Sequence, residues 1–525
     1  MLNKSWREES WSDLDQLWDV IVIGGGITGA GIFNMAAQKG LKVVLFEGRD
    51  FAFGTSSRSS KLVHGGIRYL RNRQFDVVQE SVKERQRMLR ESDNLVTVLP
   101  FIFPTYEHNQ QAAKLMRLGV ITYDLMAPKW HHRNLNKKQV NNLLPALDDH
   151  KLVGGIEYHD ALVDDSQLVL RVVMDGIRFG GLALNYAKVI QLCRAENGYV
   201  EGVQIEDQTN TLSPSQMEIR GNVIINATGP WSDELRSTIG GEPKLRPLRG
   251  SHLVFSQDKL PLQAAITMYH PRDKRALFAI PWENRIIIGT TDLDHHPIEE
   301  ETHITREEVD YLLEAAQKLF DGHHVTEEDI ISTFAGLRPV INTNAATPSK
   351  ESRAHKVWQE NGLVTIAGGK LTIFRVMAAD VLNFCAERLP NQPKFTHRVP
   401  CFIHPKPVVR MDAKSAQWQM MAGRLGKDVN RFFEESDPDL LNTIDPLPAL
   451  WAEIPWAAKN EAVVHLDDLL LRRVRLGILL PNGGLDKMET IKQLVQRPLG
   501  WTDKRWDAEV INYSKTWQEN YSLPN

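Results

Sequence analysis

The chain has 525 residues, of which 42% are hydrophobic and 24% are charged, and its formal net charge is −4. This length exceeds one ordinary hydrophobic core, so we expect two or three domains. The small net charge gives no reason to expect nucleic-acid binding. The three cysteines have neither disulfide nor metal-ligand spacing, so we expect no metal site and a reducing compartment.

The first predicted element follows a polar lead of residues 1–18, which lacks the apolar segment of a signal peptide and predicts a cytoplasmic chain. An apolar run at residues 20–23 then leads into the sequence GGGITG (residues 24–29). This is the G-x-G-x-x-G turn of dinucleotide-binding folds. Gly24 permits the sharp turn, Gly26 permits close approach of a pyrophosphate, and Gly29 permits close packing of helix on strand.

The segment after the turn predicts a helix and a second strand. The helix begins at Ile27 and Thr28, where free N–H groups and the helix dipole favour phosphate. The strand, residues 43–46, ends at Glu47, whose carboxylate can accept hydrogen bonds from ribose hydroxyls. An acid at this position argues against a 2′-phosphate, so NADP is not expected.

Residues 55–70, with the sequence TSSRSSKLVHGGIRYL, combine a hydroxyl cluster with a glycine pair. Such a block can surround phosphate groups and ring edges with N–H and hydroxyl donors. The alternative is an ordinary serine-rich surface loop. Its position after Glu47, its glycine pair and the adjacent Arg68 and Tyr69 favour ligand binding. The predicted ligand contacts here are Thr55, Ser56, Ser57, Ser60, Lys61, His64, Gly65 and Gly66.

The remaining pattern predicts elements over the rest of the chain. Residues 75–91 have helical spacing, alternating short strands are expected over 154–225, and a strand-rich block is expected over 246–292. Residues 362–388 read as strand, turn and helix. A proline-rich step near residues 400–407 predicts a linker, after which the chain reads as mostly helical.

Residues 114–130 place Leu115, Leu118, Ile121, Leu125 and Met126 at helical spacing, beside basic residues and Trp130. This pattern is typical of a helix lying in a membrane interface. The alternative is a helix docked on the core of the protein itself. No segment is apolar over the length that a membrane-spanning helix needs.

The block at residues 55–70 closely resembles the FAD-dependent glycerol-3-phosphate dehydrogenases. Further matching motifs follow in the family's order over about residues 19–385. They are VDDSQLVL (163–170), NATGPW (226–231), RGSHLV (249–254), IGTTD (288–292), AGLRP (335–339) and GGKLT (368–372). Beyond residue 400, only residues 467–475 resemble the family.

The resemblance implies an α/β fold of the amino-acid-oxidase type. Within an oxidoreductase region, residues 19–395, it implies a discontinuous Rossmann-like FAD-binding domain and an interleaved β-rich substrate domain. The expected FAD segments are about 19–70, 155–240 and 330–390, and the expected substrate segments are about 71–154 and 241–329. A C-terminal helical cap is expected over 400–525.

The resemblance also implies the reaction and its residues. The reaction is oxidation of sn-glycerol 3-phosphate to dihydroxyacetone phosphate, with electrons passed to a membrane quinone by a monotopic enzyme on the inner face of the cell membrane. His252 and Arg338 are the expected catalytic residues. His252 is the candidate base because imidazole titrates near neutral pH, although a structural histidine is the alternative.

The expected ligand contacts fall into two sets. The expected substrate contacts are Arg68, Tyr69, His252, Arg338, Arg353 and Lys370. The further FAD contacts are Val189, Thr228, Gly229, Trp231, Gly336, Gly369, Lys370, Leu371 and Thr372. Covalent flavin attachment at His64 is conceivable, but the resemblance points to non-covalent FAD.

Three other functions compete with this interpretation. A glycerol-3-phosphate oxidase would reduce O₂ to hydrogen peroxide, but relatives of that kind carry a long insertion where only fourteen residues separate Arg338 from Arg353. An amine or amino-acid oxidase would use the same fold, but basic residues suited to a phosphate argue against it. A flavin-binding regulator would carry out no turnover. The sequence allows a homodimer but contains no feature that requires one.

Overall fold

The computed structural model describes residues 2–66, 75–125, 132–296, 298, 301–344, 347, 351, 353–405 and 415–524. Their strands form two sheets. The strands of the first sheet are Trp18–Ile23, Val43–Phe46, Leu182–Leu184, Ala187–Arg194, Val200–Asp207, Gln216–Asn226, Lys356–Glu360 and Leu363–Ala367. The strands of the second are Leu62–Val63, Val96–Tyr106, Arg133–Asn136, Leu152–Val163, Leu245–Ser256, Ala265–Tyr269, Ala276–Trp282, Arg285–Gly289, Leu293–Asp294 and Ile330–Ile341.

The helices alternate with these strands and then dominate the C-terminal region. They are Lys4–Ser12, Ile27–Gln38, Phe75–Glu91, Gln110–Leu125, Lys137–Leu143, Asp165–Arg178, Ser232–Ser237, Arg306–Leu319, Phe374–Phe384, Ala416–Leu425, Val429–Glu435, Glu453–Asn460, Leu476–Leu479, Met488–Leu499 and Asp503–Asn520. A π-helix covers Asp468–Arg473. The predicted helix over 75–91 and the strand, turn and helix over 362–388 are confirmed.

The centre of the first sheet is parallel. Strand Trp18–Ile23 pairs with Val43–Phe46 on one side and with Gln216–Asn226 on the other. Helix Ile27–Gln38 packs on this sheet and is buried along nearly its whole length, because helices Asp165–Arg178 and Phe374–Phe384 cover it. Parallel strands buried on both faces explain the uninterrupted apolar runs in the sequence.

One expected feature of this region is wrong in detail. The predicted run of short strands over 154–225 is interrupted by helix Asp165–Arg178, whose N-cap Asp164 accepts a hydrogen bond from the Gln167 N–H. Gln167, Arg171 and Asp175 recur at helical spacing in this helix but are buried, and its largely apolar run at residues 168–173 is also typical of a buried strand.

Strand pairing assigns two long strands to the second sheet. Strand Leu152–Val163 pairs with Val96–Tyr106, and strand Ile330–Ile341 pairs with Leu245–Ser256. The expected division of the chain into FAD and substrate segments remains a prediction.

The C-terminal helices share a hydrophobic core with the second sheet. This core joins Leu470, Leu476 and Trp517 to Tyr158 and Phe334. The C-terminal region is therefore packed against the sheets rather than separated from them by solvent.

Candidate active site

A cavity of about 710 Å³ lies at the carboxyl ends of the central parallel strands, where Ile23, Phe46 and Ala227 contribute to its wall. This edge is where α/β sheets bind their ligands. The expected residues that line the cavity are Gly24, Gly26, Ile27, Thr28, Glu47, Thr55, Ser56, Ser60, His64, Val189, Thr228, Gly229, Trp231, His252, Gly336, Arg338, Arg353, Gly369, Lys370, Leu371 and Thr372. The second sheet contributes His252 and Arg338, so the cavity lies between the sheets.

The glycine turn leaves no room for side chains. A Cβ at Gly24 would lie 2.6 Å from the Ala227 carbonyl oxygen, and one at Gly29 would lie 1.9 Å from the Gly24 carbonyl oxygen. The Gly25 N–H donates to Glu47 Oε2 at 2.6 Å, and burial raises the pKa of Glu47 above its ordinary value. The acid at the end of the second strand therefore holds the turn while lining the cavity.

His252 lies on strand Leu245–Ser256 with its ring almost fully buried. Its Nε2 is 2.8 Å from Ser60 Oγ, and its ring stacks on Phe334 with centroids 4.4 Å apart. A Cβ on its cross-strand partner Gly289 would lie 2.3 Å from the imidazole Cδ2, so glycine there makes room for the ring. Burial, reinforced by the charges of Arg338 and Lys61, lowers the pKa of His252 well below its ordinary value. The imidazole is thus neutral near pH 7 and able to accept a proton.

Cations converge on one carboxylate beside the cavity. Asp292 is buried, and its oxygens lie 3.2 Å from Arg338 and 3.3 Å from both Arg353 and Arg275. Thr290 Oγ1 accepts a further hydrogen bond from Arg338 at 2.9 Å. Asp292 thus fixes the guanidinium groups of Arg338 and Arg353, both of which line the cavity. Fixed guanidinium groups are suited to bidentate recognition of a phosphate.

The loop of residues 368–372 closes the cavity beside the glycine pair. The Lys370 ammonium donates to the Gly65 carbonyl at 3.3 Å, and the His64 N–H donates to Thr372 Oγ1 at 3.2 Å. These contacts bring the two motifs together although more than 300 residues separate them in the chain.

Comparisons with known proteins identify the family of this chain. A model of the FAD dependent oxidoreductase family matches residues 19–373, and a model of the C-terminal domain of alpha-glycerophosphate oxidase matches residues 397–506. Glycerol-3-phosphate dehydrogenase 2 of Mycobacterium tuberculosis is 34% identical, with 98% of this chain and 90% of that protein covered. The chain belongs to the FAD-dependent glycerol-3-phosphate dehydrogenase family.

Two further relatives agree with this assignment. The aerobic glycerol-3-phosphate dehydrogenase of Staphylococcus haemolyticus is 33% identical, with 96% of this chain and 93% of that protein covered. The X-ray structure of the glycerol-3-phosphate dehydrogenase from Bacillus halodurans complexed with FAD matches with a TM-score of 0.78 and 25% identity, covering 99% of this chain and 98% of that one. The expected family, fold class, oxidoreductase character and FAD cofactor are confirmed.

The residues present fit FAD. The glycine turn and the helix beginning at Ile27 suit a pyrophosphate, Glu47 suits a ribose, and the cavity extends from there to His252. Val189 lines the same cavity from strand Ala187–Arg194. The individual FAD contacts remain predictions.

Some expected ligand contacts lie behind the cavity wall instead of in it. Lys61 is fully buried and donates to both Asp165 oxygens at 2.8 Å, and burial lowers its pKa to about 8. The Gly65 N–H donates to the Tyr123 hydroxyl at 2.8 Å. The expected contacts that do not line the cavity are Gly29, Ser57, Lys61, Gly65 and Gly66. These residues support the cavity lining from behind. Arg68 and Tyr69 lie outside the described residues.

Sequence analysis missed Arg275 and the role of Asp292. Arg275 precedes strand Ala276–Trp282, and no motif marks it. The antiparallel register pairs Phe278 with Gly289, and extending it by three residues brings Arg275 opposite Asp292. The contact between Arg275 and Asp292 could therefore be found only from the strand pairing.

Proposed function

We propose that this enzyme oxidises sn-glycerol 3-phosphate to dihydroxyacetone phosphate, with a membrane quinone as the final electron acceptor. The observation that carries the proposal is the pair Arg338 and Arg353, fixed by Asp292, in the same cavity as a neutral, buried His252. The names of the relatives support the same substrate.

The proposed division of labour follows from the chemistry of the residues. Arg338 and Arg353 bind the phosphate of the substrate, and Lys370 adds a third cation on the opposite loop. His252 accepts the proton of the C2 hydroxyl while the C2–H bond gives up a hydride. FAD, when bound, supplies the hydride acceptor. Arg68 and Tyr69 are proposed as further substrate contacts on sequence grounds alone.

The acceptor and the substrate can be tested in one experiment. Purified holoenzyme mixed anaerobically with sn-glycerol 3-phosphate should lose its yellow flavin absorbance. A soluble quinone analogue should restore the colour quickly, and air should restore it slowly. Fast recovery in air would indicate the oxidase instead. Retention of the yellow colour would refute the proposed substrate, and amines and amino acids would be tested next.

We also propose that helix Gln110–Leu125 contacts the membrane surface. Leu115 and Leu118 are 72% and 63% exposed, whereas Met116 and Val120 on the other side of the helix are buried. Lys114 and Arg117, beside the exposed leucines, are exposed as well. The helix thus docks on the protein through one face and keeps an apolar edge with basic neighbours free, as interfacial helices do. Leu125 and Met126 have no described side chains.

Within the part of the chain that the structure describes, no helix is long and apolar enough to cross a membrane. The variant carrying Leu115→Ser and Leu118→Ser should bind anionic vesicles at least about tenfold more weakly, since each buried leucine contributes about 1.5–3 kcal/mol. Vesicle sedimentation measures the bound fraction. Ile511→Ser, at a residue 68% exposed on a C-terminal helix, is the matched control and should bind normally. Equal binding by the leucine variant would refute this contact.

A further inference from the structure

Three arginines of the C-terminal region are buried against the loop that follows Glu47. They are Arg472, Arg473 and Arg475, and the side chain of each is at most 2% exposed. Their partners are Asp50, Ser57 and Asp165, which belong to the FAD-binding part of the chain. This cluster, named here the arginine anchor, lies outside the cavity and takes no part in the proposed reaction.

The contacts of the arginine anchor are close and directional. Arg473 binds Asp50 in a bidentate manner, with Nη1–Oδ2 and Nη2–Oδ1 distances of 2.6 and 2.7 Å. Arg472 Nε lies 2.5 Å from Asp50 Oδ2. Arg475 donates to the Ser57 carbonyl at 2.8 Å and to Asp165 at 3.1 Å. Bidentate and charge-assisted bonds of this kind restrict the position of both partners.

The residues bound by the arginine anchor are adjacent in the chain to residues that form or contact the cavity wall. Asp50 lies between Glu47 and Phe51, and the Phe51 ring packs so closely under Gly25 that a Cβ there would lie 2.9 Å from it. The Ala52 N–H donates to the Gly25 carbonyl at 3.0 Å. Asp50 thus directly precedes Phe51 and Ala52, the two residues that contact the glycine turn.

The second held residue, Ser57, adjoins another part of the wall. Its neighbour Ser56 accepts a hydrogen bond from the Ile27 N–H at 3.0 Å, at the start of the helix that faces the pyrophosphate site. Ser59, two residues further on, donates its hydroxyl to Asp165 at 2.7 Å. Arg475 contacts both the Ser57 carbonyl and Asp165, so it secures this loop from behind.

We infer that the segment Asp468–Arg475 is part of the FAD-binding apparatus, with Arg473 and Arg475 as positioning residues that hold the loop 47–60 in its FAD-binding conformation. Removing Arg473 deprives the buried Asp50 carboxylate of its bidentate partner and leaves it Arg472 as the remaining arginine, which loosens the loop. Because the coupling of two equilibria is reciprocal, FAD binding also stabilises the packing of this C-terminal segment.

The first test measures FAD affinity, not activity. Arg473→Gln holoenzyme is diluted in steps, and released FAD is followed by its fluorescence. The dissociation constant for FAD should rise at least tenfold over the unmodified enzyme, with a smaller rise for Arg473→Lys, which keeps the charge but loses the bidentate pair.

The matched control is Arg424→Gln. Arg424 is also a buried C-terminal arginine. It pairs with Glu453 and with Glu283, which lies in the turn between strands Ala276–Trp282 and Arg285–Gly289, and its ion pairs involve neither the loop 47–60 nor the cavity lining. Its dissociation constant for FAD should stay within about twofold, even where its melting temperature falls. An equal loss of affinity in both variants, or an unchanged affinity in Arg473→Gln, would overturn the inference.

A second measurement needs no variant and therefore does not depend on variant folding. Hydrogen exchange is compared between the unmodified enzyme with FAD bound and after FAD removal. The amides of residues 468–475 should be protected by FAD, whereas those of helix Ala416–Leu425 should exchange alike in both forms. Identical exchange of residues 468–475 with and without FAD would refute the coupling.

Discussion

Arg338→Ala is expected to lower kcat/KM for sn-glycerol 3-phosphate by about 10³-fold while FAD stays bound. The guanidinium donates to Thr290, Thr291 and Asp292, and Arg338 lines the cavity. Losing two charge-assisted hydrogen bonds to a phosphate costs about 4 kcal/mol, which corresponds to that factor. The flavin should remain because Arg338 is not among its expected contacts.

Steady-state kinetics and flavin absorbance together check this prediction. Glycerol, which lacks the phosphate, is the matched control substrate, and the variant and the unmodified enzyme should oxidise it with the same low efficiency. Arg338→Lys should recover only part of the loss because a lysine lacks the planar fork. Purification of Arg338→Ala without flavin would instead assign Arg338 to cofactor binding.

His252→Ala is expected to slow flavin reduction by the substrate by about 10²-fold or more, the usual contribution of a positioned general base. Anaerobic stopped-flow absorbance measures this rate directly. His270→Gln is the control, because His270 is also buried in the second sheet, where it bonds to the Tyr311 carbonyl, but does not line the cavity. A reduction rate near normal in His252→Ala would leave the histidine a structural role only.

The pH dependence of the same rate follows from the lowered pKa of His252. A base with a depressed pKa stays unprotonated as the pH falls through about 6.5, the value for a free histidine, so the rate should fall only at lower pH. Removal of the Arg338 charge should raise the pKa of His252, so the fall of the rate in acid should begin at a higher pH. The same burial makes acid destabilising, because below about pH 6.5 the unfolded chain takes up the proton before the folded one.

The expected residues that line the cavity come mostly from short motifs. Most of the glycine turn, Glu47 and the loop of residues 368–372 line it. Each combines a backbone requirement with local chemistry, so neighbouring residues suffice to predict it.

The parts that were missed depend on contacts between distant residues. Arg275 reaches Asp292 only through the register of the second sheet, and Lys61 turns away from the cavity because Asp165 neutralises it in the interior. Helix Asp165–Arg178 was predicted as strands because its largely apolar run at residues 168–173 is also typical of a buried strand. The role of the C-terminal arginines likewise appears only once Asp50 is seen beside them.

The arginine anchor has a consequence for how the enzyme is made. Asp50 and Arg473 are 423 residues apart in the chain, so the ribosome completes the glycine turn long before the residue that secures it. Domains otherwise tend to fold from the N-terminus during synthesis. If Arg473 positions the loop as inferred, the nascent chain reaches its full affinity for FAD only after residue 473 has been added. A chain that ends before residue 473 should therefore bind FAD more weakly than the complete enzyme.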